Sequence, residues 1–235
     1  PIKRQIYRDQ RWLLQELAAN RKGPRLLTDS FDLIDSFERE ADLTAAAPTF
    51  KFLHLMLPHF PLRYDQDCRY VGMPTDVNAA YLAQAGCALR LLERIIATLQ
   101  HLGIYDQTSI FVVADHGINL PLPGVASGPG APINAGALPL LLYKAAAATD
   151  PYLESTQALQ SSSIPRLVLE VSGLPLPLEL TTLESAHERV FHSYQWSNSR
   201  WFSEYLPPMQ QHLVQGDSWE ASSWQLGKTL SPPQK

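Results

Sequence analysis

The chain has 235 residues, 45% of them apolar and 18% charged, and a formal net charge of −4. That balance fits a soluble globular protein with one large domain, or one and a small appendage. The charges form no long run of one sign, which argues against nucleic-acid binding, and no apolar segment reaches the ~20 residues that a bilayer-spanning helix needs.

Residues 8–42 read as helical, first RDQRWLLQELAANRK and then SFDLIDSFEREADL, with GPRLLTDS as a breaker between them. Asp29 or Ser30 is expected to cap the second helix, because a side-chain oxygen there satisfies free backbone N–H groups. After the linker TAAAPTF, Lys51 to Leu57 reads as a strong strand stopped by Pro58, which has no N–H for a ladder. In that strand His54 alternates with Phe52 and Met56 and is expected to be a hydrogen-bonded core residue.

From Asp76 the period changes. Leu82, Ala85, Leu89, Leu92, Ile96 and Leu99 recur by threes and fours, predicting a long amphipathic helix capped by Asp76 and stopped at Gly103. Ser109 to Ala114 is then a short apolar strand. Strand, helix, strand is a crossover unit, and such units favour parallel pairing. The expected class is therefore α/β, with a mainly parallel sheet flanked by helices.

The stretch Gly117–Tyr143 carries no charge and is dense in Gly, Pro and Ala, a loop or hairpin that leads into a third apolar strand, LPLLLYK. Residues 162–172 predict a short helix with Pro165 in its first turn and Gly173 at its stop. RVFHSYQW reads as a strand, followed by a Trp- and Tyr-rich tail and a polar end, LSPPQK. The divisions expected are a helical segment 1–49, a core 50–186 and an aromatic-rich segment 187–235.

Cys68 and Cys87 are the only cysteines, too few and too far apart to make a zinc site by themselves. Cys87 shares helical spacing with Arg90 and Arg94, so it is expected on the polar side, where a covering loop that carries Cys68 could reach it. A bridge between them would stabilise by roughly 3 kcal/mol in an oxidising compartment. Two unrelated free thiols are the alternative.

Chemistry is expected just beyond strand ends, where ligands gather in open parallel sheets. His59 in PHFP and the pair Asp115–His116 in VVADHGIN occupy such places. An adjacent carboxylate and imidazole can give one oxygen and one nitrogen to a divalent cation, fewer ligands than a closed site requires. His101, in the last turn of the long helix, suits the helix dipole, and His187, His192 and His212 have no metal-binding spacing. Trp196, Trp201, Trp219 and Trp224 either line a groove or anchor the tail.

Taken together and in this order, PHFP, LERIIATLQHLGIYDQT, ADHG, LPLLLYK and SSSIPRLVLEVSGLP resemble the second half of a sulfatase-like domain of the alkaline phosphatase superfamily. Relatives there include arylsulfatases, phosphoethanolamine transferases and lipoteichoic-acid synthases. The resemblance covers roughly residues 50–175. It implies an alkaline-phosphatase-like fold, in part, and a metal-dependent hydrolase or transferase acting on sulfate or phosphate esters.

By the resemblance, Asp115 and His116 match the Asp-His metal pair for calcium, zinc or manganese, and His59 matches the histidine beside the bound ester group. Ser162 or Ser163 stands where the matching helix commonly has an aspartate. Acidic metal ligands and a Cys, Ser or Thr nucleophile would precede this part. Thr28 in TDSFD lacks the apolar strand that would place it, and Gly117–Tyr143 lacks the histidine or lysine common after the Asp-His pair.

The chain by itself is thus expected to bind metal weakly or not at all and to be inactive, either as part of a longer enzyme or as a non-catalytic relative that binds an anionic lipid or glycan head group. The start at Pro1 fits a processed or trimmed product. The resemblance also implies a place outside the cytoplasm, on the periplasmic side, with membrane proximity through a preceding region.

Overall fold

The computed structural model describes residues 25–45, 47–118, 122, 133–155, 159–177, 189–194 and 208–231. The expected helix at residues 8–22, His187, Trp196, Trp201 and residues 119–121 and 123–132 of the uncharged stretch lie outside the described residues. The chain divides into two compact units, residues 1–107 and 108–235.

In the first unit, helix α1 (Arg25–Glu40) packs against helix α2 (Val77–His101). Ile34 of α1 meets Leu57, Cys87 and Leu91 in a buried cluster, with Phe31, Leu55, Met56 and Tyr64 around it. At the rim, Arg94 of α2 makes ion pairs with Asp35 at 2.6 Å and Glu38 at 2.5 Å of α1. The bond from Arg94 holds the Glu38 carboxyl below its ordinary range.

Ser30 is not a cap. The helix already begins at Arg25, so Ser30 lies inside it, buried, and its Oγ accepts the Met56 N–H at 2.9 Å. A chain segment crossing the helix has a buried amide to satisfy, and an in-helix hydroxyl meets that need. Thr28 likewise falls within α1 rather than beyond a strand end.

Asp76 caps α2 as expected. Its Oδ1 accepts the N–H groups of Asn78 at 2.9 Å and Ala79 at 3.1 Å. Gly103, at φ +70°, ends the helix in the left-handed region that glycine adopts without a Cβ penalty.

The buried face of α2 differs from the predicted one. Leu82 is 72% and Leu89 50% exposed, whereas Gln84, Cys87 and Leu91 are buried. Two stripes compete on this helix, and the one taken up here carries the groups that tie down the preceding loop. Cys87 is on that inner stripe, not the polar side, and forms a disulfide with Cys68 across a Cα–Cα distance of 4.9 Å.

Residues 51–57 belong to no sheet among the described residues. Leu55, Met56 and Leu57 pack on the two helices, while Phe52 and His54 are exposed, so His54 is not a core residue. The crossover unit lacks its first strand because the end of this segment, Leu55 to Leu57, packs on helices rather than on a sheet face.

The second unit opens with β1 (Ile110–Val113), which pairs antiparallel with β2 (Leu141–Lys144). The parallel expectation thus fails for this pair. Val113 stands opposite Leu141 and Ile110 opposite Lys144, and the Phe111 and Tyr143 rings stack at 4.5 Å. An antiparallel pair needs no crossover between its strands, whereas a parallel pair does.

Helix α3 (Ile164–Val171) follows, with Pro165 in its first turn and Gly173 just beyond it at φ +65°, as the sequence predicts. The described residues of the carboxy-terminal region include a sheet. Strands β3 (Arg189–Tyr194), β4 (Met209–Val214) and β5 (Trp224–Leu230) form an antiparallel sheet in the order 3-4-5.

Alternate β4 residues Gln210, His212 and Val214 face inward. Val214 and Trp224 form a core with Leu122 and Ile133, and the turn residues Ala135, Ala137 and Leu138 pack against it. Trp224 is therefore an anchor, its indole N–H donating to the Ser218 carbonyl at 2.8 Å, while Trp219 is exposed. The described architecture is a mixture of helices with small antiparallel sheets, and no described helix is long and apolar enough to cross a membrane.

Candidate functional site

His59 sits in a turn bracketed by Pro58 and Pro61. Its N–H donates to the Met56 carbonyl at 2.8 Å, and its Nδ1 is 2.6 Å from the Phe60 carbonyl oxygen. A carbonyl can only accept, so Nδ1 carries the proton of that bond. The ring orientation is thereby referred to the turn's own backbone.

Gln84 holds that backbone. Its Oε1 accepts the N–H groups of Arg63 at 2.8 Å and Tyr64 at 3.1 Å, and its Nε2 donates to the His59 carbonyl at 2.8 Å. Further along, the Asp65 carboxylate accepts the N–H groups of Asp67 and Arg69 to shape a tight turn. Arg90 Nε donates to the Gln66 carbonyl at 2.7 Å, and Arg90 pairs with Asp67 at 2.8 Å. Together with the Cys68–Cys87 bridge, these contacts fasten residues 58–70 onto one stripe of α2.

Asp115 and His116 lie just past β1, where Ala114 extends the pairing through its N–H to the Leu140 carbonyl at 2.9 Å. Asp115 Oδ1 accepts the His116 N–H at 2.9 Å, and His116 Nδ1 is 2.7 Å from the Gly117 carbonyl oxygen. With the proton on Nδ1, Nε2 is the nitrogen able to donate a lone pair to a metal. It lies 3.8 Å from Asp115 Oδ2, and both side chains are exposed.

Gly117 is required by close approach. A Cβ there would fall 2.0 Å from the Ala135 carbonyl oxygen, and its N–H donates to the Gly136 carbonyl at 3.1 Å. The turn at 134–138, organised by Asn134 Oδ1 accepting the Gly136 N–H at 2.9 Å, rests on the Val214–Trp224 core. The carboxy-terminal sheet thus supports the turn that presents Asp115 and His116.

As a metal centre the pair is right in kind and short in number. One oxygen and one nitrogen lie close enough to turn toward a common cation, but among the described residues no group of three or more His, Cys, Asp or Glu side chains could hold one. Two protein ligands fall below the three or four of known catalytic and structural sites. His59 belongs to the first unit and Asp115 and His116 to the second.

The hollow of about 310 Å3 lined by Gln100, Gly103, Tyr105 and Asp106 contains none of these residues. His101 lies in the last turn of α2, as expected. His192 is on β3, and His212 is buried on β4, where Nε2 is 3.0 Å from Ser193 Oγ.

Gln84 was missed as a member of the His59 turn. Its signal was a polar residue three positions before Cys87, and so on the same side of the helix. The link from Gly117 to the 134–138 turn carries no local signal.

No curated protein and no solved structure matches the chain. The family model described as Sulfatase matches residues 10–153, a span that contains His59, Gln84, Asp115 and His116. That span exceeds half of the sequence, and the chain belongs to the sulfatase family.

Proposed function

We propose that this chain supplies part of a sulfatase-type site that binds sulfate or phosphate esters and uses a divalent cation, calcium, zinc or manganese. Such esters carry charge on several oxygens, and hydrogen-bond donors placed where that charge grows lower the barrier to transfer. His59 is the residue assigned to the ester group, and as its Nδ1–H is held by the Phe60 carbonyl, the donor it offers an anion is Nε2–H of the imidazolium. Asp115 Oδ2 and His116 Nε2 are the two donors assigned to the cation, whose chemistry is to polarise the ester oxygens.

The observation that carries this reading is the Asp115–His116 pair at the end of an apolar strand inside the family match, with its tautomer set by the Gly117 carbonyl. The Cys68–Cys87 bridge supports an extracytoplasmic, periplasmic placement, since such bonds persist in oxidising compartments. Proximity to a membrane belongs to the same proposal.

Calorimetric titration with zinc, manganese and calcium tests the metal role. Weak binding that disappears in Asp115→Ala and in His116→Ala is expected, and binding untouched by both substitutions would refute it. Hydrolysis of aryl sulfate or phosphate esters by this chain alone should be undetectable, because two donors do not complete a site. Metal-independent binding of an anionic lipid or glycan head group would instead favour a non-catalytic relative.

A further inference from the structure

We infer that Gln84 is the positioning residue for His59, holding the histidine's turn in the one conformation that presents its ring. The inference rests on the reading of His59 as the contact to an anionic ester.

Gln84 is 0% exposed, on the inner stripe of α2, and every polar atom of its amide is used. Oε1 takes the N–H groups of Arg63 and Tyr64, downstream of the turn. Nε2 faces the carbonyls of His59 at 2.8 Å, Pro58 at 3.3 Å and Pro61 at 3.5 Å, on both sides of the imidazole in sequence. One buried amide therefore closes residues 58–64 into a loop around itself. The partners also decide its orientation, with N–H groups at one end and carbonyls at the other.

No other side chain of similar size reproduces this. Leucine offers neither donor nor acceptor, and a glutamate carboxylate accepts but cannot donate, leaving the carbonyls facing a charge. Asparagine is one methylene shorter. Removing the amide would leave buried backbone groups unsatisfied, and the turn would reorganise to find other partners.

The ring follows the backbone because its Nδ1 is tied to the Phe60 carbonyl, in the stretch that Gln84 encloses. The other fastenings act elsewhere. Arg90 bonds the Gln66 carbonyl and Asp67, and the disulfide holds Cys68. Loosening the loop through Arg90 therefore separates general loop stability from the placement of His59.

The experiment compares the full chain with Gln84→Leu, Gln84→Glu and Arg90→Ala, following the His59 ring nitrogens by NMR at a pH where the ring is neutral. Inorganic sulfate and phosphate are then titrated in as probes at a lower pH where the ring is an imidazolium, because with Nδ1–H bonded to the Phe60 carbonyl the neutral ring offers an anion only the lone pair of Nε2. Wild type and Arg90→Ala should show the Nδ1–H tautomer and the same response to the anions. Gln84→Leu should show averaged ring-nitrogen shifts. If its ring is competent about a tenth of the time, it should bind the anions about tenfold more weakly. Gln84→Glu should behave like Gln84→Leu, and it carries the test should the leucine variant not fold.

A folded Gln84 variant with wild-type tautomer and anion response would overturn the inference, as would an equal loss in Arg90→Ala. If the wild-type His59 signals ignore both anions, it is the ester-contact reading that fails, and the tautomer comparison still decides whether Gln84 sets the ring.

Discussion

Opening the Cys68–Cys87 bridge should cost the first unit more than any single hydrogen bond at its candidate site. The bridge spans a sequence separation of 19, and releasing a loop of that length returns conformational freedom to the unfolded chain equivalent to about 3 kcal/mol. Cys87 is also fully buried against Ile34, Leu57 and Leu91, so an alanine there removes packing worth about 1 kcal/mol more. Cys68 keeps its left-handed φ of +62° under either serine or cysteine, and adds little.

The variant Cys68→Ser/Cys87→Ala should therefore lose about 3–4 kcal/mol, a large share of a typical domain's stability. Hydrogen exchange read by mass spectrometry on peptides from residues 77–101 measures this locally. Protection should fall at least about a hundredfold, since every 1.4 kcal/mol is tenfold. Protein made in an oxidising compartment and denatured without reductant should have no titratable thiol. Two thiols would refute the bridge. A double variant within about 0.5 kcal/mol of wild type would show that Gln84 and Arg90 hold the loop unaided.

Three further outcomes follow from particular contacts. Ser30→Ala should destabilise the first unit by about 1–3 kcal/mol in denaturant melts, because the Met56 N–H loses its acceptor, and a neutral effect would remove that bond from the account. Gly117→Ala should release the 134–138 turn, seen as faster amide exchange there and a changed His116 tautomer; its Cβ cannot share space with the Ala135 carbonyl, and overpacking of this kind costs about 1–3 kcal/mol or more. Burial, with a smaller contribution from the neighbouring His192, pushes His212 below its ordinary 6.5. The unfolded chain then takes the proton more readily, so the β3–β5 sheet should be fully stable above about pH 6.5 and lose stability as the pH falls through the folded value. Tryptophan fluorescence melts in His212→Gln should lack that dependence, and a wild-type sheet that strengthens on acidification would contradict it.

Where a residue's role depends on its immediate neighbours in the chain, it could be read directly. Asp76 caps α2 because the two amides it serves are two and three residues on, Gly103 and Gly173 end helices by their own backbone freedom, and Pro165 starts α3 from its first turn. The ordered set of short motifs in residues 50–175 pointed to the family for the same reason, each piece being local. Roles that depend on which surface meets which were decided by tertiary structure.

Helix α2 offers two stripes of comparable merit. Its periodicity favoured Leu82 and Leu89, but only the Gln84–Cys87–Leu91 stripe can bond the turn amides, bridge Cys68 and bury Ile34. The apolar run 51–57 looks like a strand in isolation, yet Leu55, Met56 and Leu57 pack on helices. Likewise β1 and β2 are apolar enough for either pairing direction, and the folded chain pairs them antiparallel. Hydrophobicity specifies that a side chain leaves water; the partner it meets depends on residues distant in sequence, and that choice belongs to the folded chain.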